Sequence, residues 1–280
     1  MTEYQLDVLV STEWVDQHKQ DPDVQLVEVD EENRAYETGH IQTAIAWNWS
    51  TQLNDQTRRD ILTPEQLADL LGQSGITPET TIILYGDNNN WFAAFAYWQL
   101  SMFGHTNLKL MDGGRVKWEQ ENHAYTTDIP SIEPVNYPVK ATDRSNRALQ
   151  SDVAAAIRTE KTALVDVRSP EEYSGEIIAP EGMNETAQRG GHIPGAANIP
   201  WKLATNDDGT FKSADELKKL YKEQGVTPDK DVITYCRIGE RAAHTWFALH
   251  ELLGYENVRN YDGSWTEWGS MIGVPVERSV

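Results

Sequence analysis

Short apolar runs alternate along the chain with longer stretches whose apolar positions recur at helical spacing. Residues 163–167 (ALVDV) and 231–235 (DVITY) read as buried strands. Residues 213–224 (SADELKKLYKEQ) open on a capping serine and continue as a helix, and 240–253 (ERAAHTWFALHELL) predict a second helix stopped by Gly254. A short strand is predicted over 257–261 (NVRNY). Strand–helix alternation with short connections predicts the α/β class, with a mainly parallel central sheet flanked by helices.

The pattern occurs twice. Residues 76–85 (ITPETTIILY) align with 226–235 (VTPDKDVITY), Gly104 with Gly254, and 112–118 (DGGRVKW) with 262–268 (DGSWTEW), all at an offset of 150. Upstream, 26–29 (LVEV) answers 164–167 (LVDV) and Gly39-His40-Ile41 answers Gly191-His192-Ile193; the offset changes there because the second copy carries an insertion near 175–190. So long a period predicts two homologous domains rather than a solenoid. We place them at 1–124 and 147–280, joined by a linker at 125–146 that lacks periodicity.

The charge narrows the function. Lys and Arg total 24 against 44 Asp and Glu, a formal net charge of −20 over 280 residues. A field of that sign repels phosphate backbones and anionic membranes, so neither nucleic acid nor membrane is an expected partner. An anionic substrate would need a locally positive pocket. The amino terminus lacks the basic region and apolar core of a signal peptide, and a single cysteine forms no intrachain disulfide. These features predict a soluble, cytoplasmic protein.

That cysteine, Cys236, directly follows the strand 231–235 and precedes the helix 240–253, where open α/β sheets place ligands. Loop N–H groups and the helix amino terminus are expected to favour its thiolate, with Arg237 and Arg241 adding positive charge. Gly239 permits a tight turn with inward N–H groups, a cradle for an anion or a persulfide. A cysteine after a strand is often only a small core residue; arginines at +1 and +5 with glycine at +3 argue for the reactive reading.

The Cys236-Arg237-Ile238-Gly239-Glu240-Arg241 loop, together with Leu164-Val165-Asp166-Val167-Arg168, the turn Gly191-His192-Ile193-Pro194-Gly195-Ala196 and Tyr261-Asp262-Gly263-Ser264-Trp265, resembles the tandem-domain rhodaneses, the thiosulfate sulfurtransferases, most closely those of actinobacterial type. The resemblance spans nearly the whole chain and implies two rhodanese-like domains. It implies a double displacement without a cofactor: thiosulfate gives its outer sulfur to Cys236, sulfite leaves, and the persulfide passes the sulfur to cyanide, a thiol or a protein acceptor. Carried over, Cys236 is the nucleophile, Arg241 the ligand of the sulfonate end, and the N–H groups of Arg237, Ile238, Gly239, Glu240 and Arg241 the persulfide cradle, with Arg237 tuning the field. Arg168 is a further candidate substrate contact. Some thiosulfate-using members carry lysine where this loop has Ile238 and threonine where it has Arg241; mercaptopyruvate-preferring members have Cys-Gly-x-Gly-x-Thr loops, which favours thiosulfate here.

The first copy has Gly86 where the second has Cys236, followed by Asp87-Asn88-Asn89-Asn90. It is expected to be catalytically silent, to buttress the second copy and to wall its cleft, with 91–98 (WFAAFAYW) as core and domain interface rather than a ligand site. The seven histidines show no metal-ligand spacing, so no metal is expected; the paired His40 and His192 suggest a structural role. Arg189, Trp265 and Trp268 are weaker candidates for the cleft. A cysteine phosphatase is the enzymatic rival, but those enzymes separate Cys and Arg by one residue more than the four found here. The residues also leave open a protein-docking sulfur carrier and a 3-mercaptopyruvate sulfurtransferase.

Overall fold

The computed structural model describes residues 4–183 and 186–279. Asn184 and Glu185 of the expected insertion, and residues 1–3 of the amino-terminal stretch, lie outside the described residues. The chain forms two compact units, one of residues 7–144 with 207–210, the other of 4–6, 145–206 and 211–279.

The amino-terminal unit holds β1 (Leu9–Val10), β2 (Val24–Asp30), β3 (Ile45–Asn48), β4 (Thr81–Tyr85) and β5 (Leu108–Met111), in the order β1-β5-β4-β2-β3 with every pair parallel. The carboxy-terminal unit holds β6 (Thr162–Asp166), β7 (Ala197–Asn198), β8 (Asp231–Tyr235) and β9 (Val258–Asn260), in the order β7-β6-β8-β9, again all parallel. Both are α/β. Central strands buried on both faces need continuous apolar runs, and β4 and β8 end in four buried residues each.

The duplication reaches individual contacts. Glu28 pairs in register with Tyr85, and Asp166 with Tyr235. Each tyrosine hydroxyl accepts a hydrogen bond at 3.1 Å, from Ile41 N–H in one unit and Ile193 N–H in the other. His40 stacks on Tyr36 and His192 on Tyr173, with centroids 3.7 and 3.6 Å apart, and each Nδ1 lies within hydrogen-bond reach of the carbonyl of the tyrosine it stacks on. The two Gly-His-Ile turns are thus fastened identically, by packing and backbone bonds.

Local sequence signals account for the helices. Ser213 caps Ala214–Glu223, its hydroxyl accepting from Glu216 N–H while the Glu216 carboxylate accepts from Ser213 N–H. Trp91–Met102 is almost wholly buried, as its uniform apolarity requires. The helix expected over 240–253 is interrupted: Glu240–Phe247 is α-helical and Ala248–Leu252 forms a π turn before Gly254 at φ +70°. No described helix is long and apolar enough to cross a membrane.

Candidate active site around Cys236

The loop after β8 is fixed by its own backbone. Val167 N–H donates to Tyr235 O at 3.0 Å, carrying the sheet register to the strand end. Beyond it, Cys236 O accepts from Trp265 N–H and Arg237 O from Thr266 N–H, both at 3.0 Å, while Cys236 N–H donates to Ser264 Oγ at 3.0 Å. Gly239 turns the chain into the helix Glu240–Phe247 at φ +101°, and a Cβ there would stand 2.8 Å from Asp262 Cα. Only glycine fits both constraints.

This turn aims N–H groups at the sulfur. Gly239 N–H donates to Cys236 Sγ at 3.1 Å, and the Ala242 N–H also bonds to it. Ala242, one residue past the expected cradle, has a methyl side chain that offers no chemical signal.

Cys236 is fully buried, and Arg237, Ile238, Gly239, Glu240 and Arg241 around it are themselves buried. This corrects the expectation that the thiolate is favoured at rest. Burial and the adjacent Glu240 carboxylate push the thiol up to about 11, outweighing Arg241 and the two N–H bonds. Glu240 Oε2 stands 3.2 Å from Sγ and accepts the S–H hydrogen bond.

Arg241 and Arg168 are held by acids. Arg241 makes a two-point pair with Glu172, Nη1–Oε2 2.9 Å and Nη2–Oε1 3.1 Å, with both side chains buried. Burial pushes the Glu172 carboxyl up, yet Arg241 leaves it below the ordinary range. Arg168 is fully buried; its Nη2 donates to Asp166 Oδ2 at 2.6 Å and to Gly191 O at 2.7 Å, and its guanidinium lies over the Trp265 ring at 4.5 Å. Arg237 is buried in the loop. The positive pocket expected from the arginines is therefore a balanced one: Arg168, Arg237 and Arg241 against Asp166, Glu172 and Glu240. Glu172 is visible in the sequence only as the third helical residue of the Ser169 capping box, where its carboxylate also accepts from Ser169 N–H.

Other candidates are structural. Arg189 donates to the carbonyls of Trp268, Gly269, Met271 and Val274, and Trp265 and Trp268 are core. His244 is buried against Phe211 and pushed down to about 3 by that burial.

In the amino-terminal unit the matching loop is closed on itself. Asn90 Oδ1 accepts from Gly86 N–H at 3.0 Å and Asn90 Nδ2 donates to Met111 O at 2.8 Å. A Cβ on Gly86 would fall 2.3 Å from Val29 O, so this loop has no room for a thiol-bearing residue.

Comparison with known proteins identifies the family of both units. The Rhodanese-like domain profile matches residues 11–121 and again 149–271. A Haloferax volcanii protein provisionally named a thiosulfate sulfurtransferase is 55% identical over 99% of this chain and 98% of its own length. A Thermus thermophilus protein named Sulfur carrier protein TtuD is 51% identical over 97% of each. Among solved structures, a variant of EanB holding ergothioneine covalently linked with a cysteine persulfide superimposes with a TM-score of 0.82 at 26% identity, covering 98% of this chain and 70% of that one. The chain belongs to the rhodanese family and carries two rhodanese-like domains in tandem.

Proposed function

We propose that the protein is a thiosulfate sulfurtransferase that carries sulfane sulfur as a persulfide on Cys236. The observation that carries this reading is the placement of the lone cysteine at the carboxyl end of β8 with the N–H groups of Gly239 and Ala242 on its sulfur. The thiolate attacks the outer sulfur of thiosulfate; the new S–S bond forms as the old one breaks, and the electron pair leaves with sulfite. A cyanide or thiol acceptor then takes the terminal sulfur and restores the thiolate. The two N–H groups stabilise the anionic sulfur in both states. Arg241, seated on Glu172, faces the sulfonate end of the donor, Arg237 tunes the loop's field, and Arg168 anchors the Gly191 turn.

With burial and the Glu240 carboxylate pushing the thiol up to about 11, only a small population holds a thiolate at neutral pH. That small population favours a second reading, in which a protein partner takes the sulfur and the cysteine mainly stores it; the name of the Thermus relative supports this. A cytoplasmic setting suits either, since it keeps the one cysteine reduced. Thiosulfate-dependent thiocyanate release separates them. Steady release with cyanide as acceptor is expected, and a persulfide that forms but gives no thiocyanate would favour the carrier.

A further inference from the structure

The buried carboxylate beside the thiol is not required by the sulfur-transfer chemistry and works against it. Glu240 is 1% exposed, its Oε2 is 3.2 Å from Cys236 Sγ, and its Oε1 is 3.5 Å from Arg241 Nε. The Arg241 guanidinium is turned mainly to Glu172, through two shorter contacts, so Glu240 keeps much of its charge directed at the sulfur.

The two units differ at this position. Four residues after the loop's first position, Asn90 Oδ1 accepts from Gly86 N–H in the amino-terminal unit, whereas in the carboxy-terminal unit Glu240 Oε2 meets the Cys236 sulfur and the Cys236 N–H goes instead to Ser264 Oγ. The unit without a thiol has a neutral amide there, and the unit with the thiol has a carboxylate.

We propose that Glu240 is a specificity-determining residue: its carboxylate accepts the Cys236 S–H, keeps the resting sulfur neutral, and opposes the entry of dianionic sulfur donors relative to neutral or singly charged ones such as organic persulfides. The inference rests on the sulfurtransferase reading for its meaning, but the contact can be tested without sulfur transfer. An acceptor for S–H stabilises the thiol over the thiolate, and a fixed negative charge in a buried site acts on any anion that approaches. The other charged groups of the neighbourhood are Arg241 with Glu172, Arg168 with Asp166, Arg237, and Asp262 with Arg147 across the turn that packs on Gly239.

The experiment alkylates Cys236, the only cysteine, with neutral iodoacetamide and anionic iodoacetate across a pH series, read by intact mass. Glu240→Gln keeps the volume and removes the charge. The expected results are a lower pH midpoint, at least about tenfold faster iodoacetamide reaction at neutral pH, and a larger gain for iodoacetate than for iodoacetamide; Glu240→Asp should stay near the wild type in the ratio of the two reagents. Loading from thiosulfate should rise in Glu240→Gln as well. An unchanged midpoint and reagent ratio would overturn the proposal, as would equal acceleration of both reagents without a midpoint shift, which marks mere loosening of the loop. Failure of the wild type to load sulfur from thiosulfate would instead count against the proposed function, leaving the alkylation result to decide the role of Glu240.

Discussion

The Arg241 guanidinium and the Glu172 carboxylate meet through two near-parallel contacts, 2.9 and 3.1 Å long, across 69 residues of sequence. Both side chains are buried, so each depends on the other to remain charged. The pair ties the start of the helix Glu240–Phe247, which carries the sulfur loop, to the helix Pro170–Ser174.

Removing one partner strands the other charge. Arg241→Ala should lower unfolding free energy by about 3–5 kcal/mol, measured by denaturant titration, and Arg241→Met with Glu172→Gln should recover much of the loss. If Arg241 also receives the donor, Arg241→Lys, which keeps the charge without the two-point geometry, should raise KM for thiosulfate far more than it slows reaction of preloaded enzyme with cyanide. Equal effects on the two halves would assign Arg241 to scaffolding alone.

The amino-terminal loop should resist conversion into a second site. In a Cys236→Ser background, Gly86→Cys is expected to load no sulfur, because its Cβ meets Val29 O, and to destabilise the protein by about 1–3 kcal/mol. Intact mass after thiosulfate and a thermal melt read both outcomes; a loaded sulfur on this variant would show that the silent loop lacks only its nucleophile.

A carboxyl pair in the same unit should make stability depend on pH. Asp87 N–H donates to Asp30 Oδ1 at 2.8 Å, and burial pushes both carboxyls up to about 7 from 3.8, with Glu28 adding to the rise at Asp30 and Asp30 to the rise at Asp87. A folded-state value above the unfolded one means a contribution that is present below about 4 and is lost as pH rises through about 7. Asp87→Asn should therefore stabilise the protein at about pH 8 and much less at about pH 5. A gain of equal size at both values would contradict the raised Asp87 carboxyl.

Much of the fold is legible in the sequence because its signals are local. The strand over 231–235 and the Ser213 cap rest on a few neighbouring residues, and the repeat fixes the position of Cys236 relative to Gly86. What the residues do not reveal is long-range or backbone-borne. Nothing near Arg241 announces Glu172, since the partner arrives through the fold. The Ala242 N–H on the sulfur has no side-chain signature. The loop pattern gives Glu240 only the role of its N–H, although an acid four residues after a cysteine at a helix start is the available clue to its contact with Sγ. The thiol's burial and raised titration follow from that acid and from packing, and both oppose the activation inferred from the arginines. The π turn at Ala248–Leu252 likewise has no periodicity distinct from a helix.

The central claim is that Cys236 takes up one sulfur atom and gives it back. Intact mass spectrometry of the wild type and of Cys236→Ser, after thiosulfate and again after cyanide, tests it directly. The wild type should gain one sulfur and lose it to cyanide while Cys236→Ser stays unchanged; no gain in the wild type, or an equal gain in Cys236→Ser, would contradict the account.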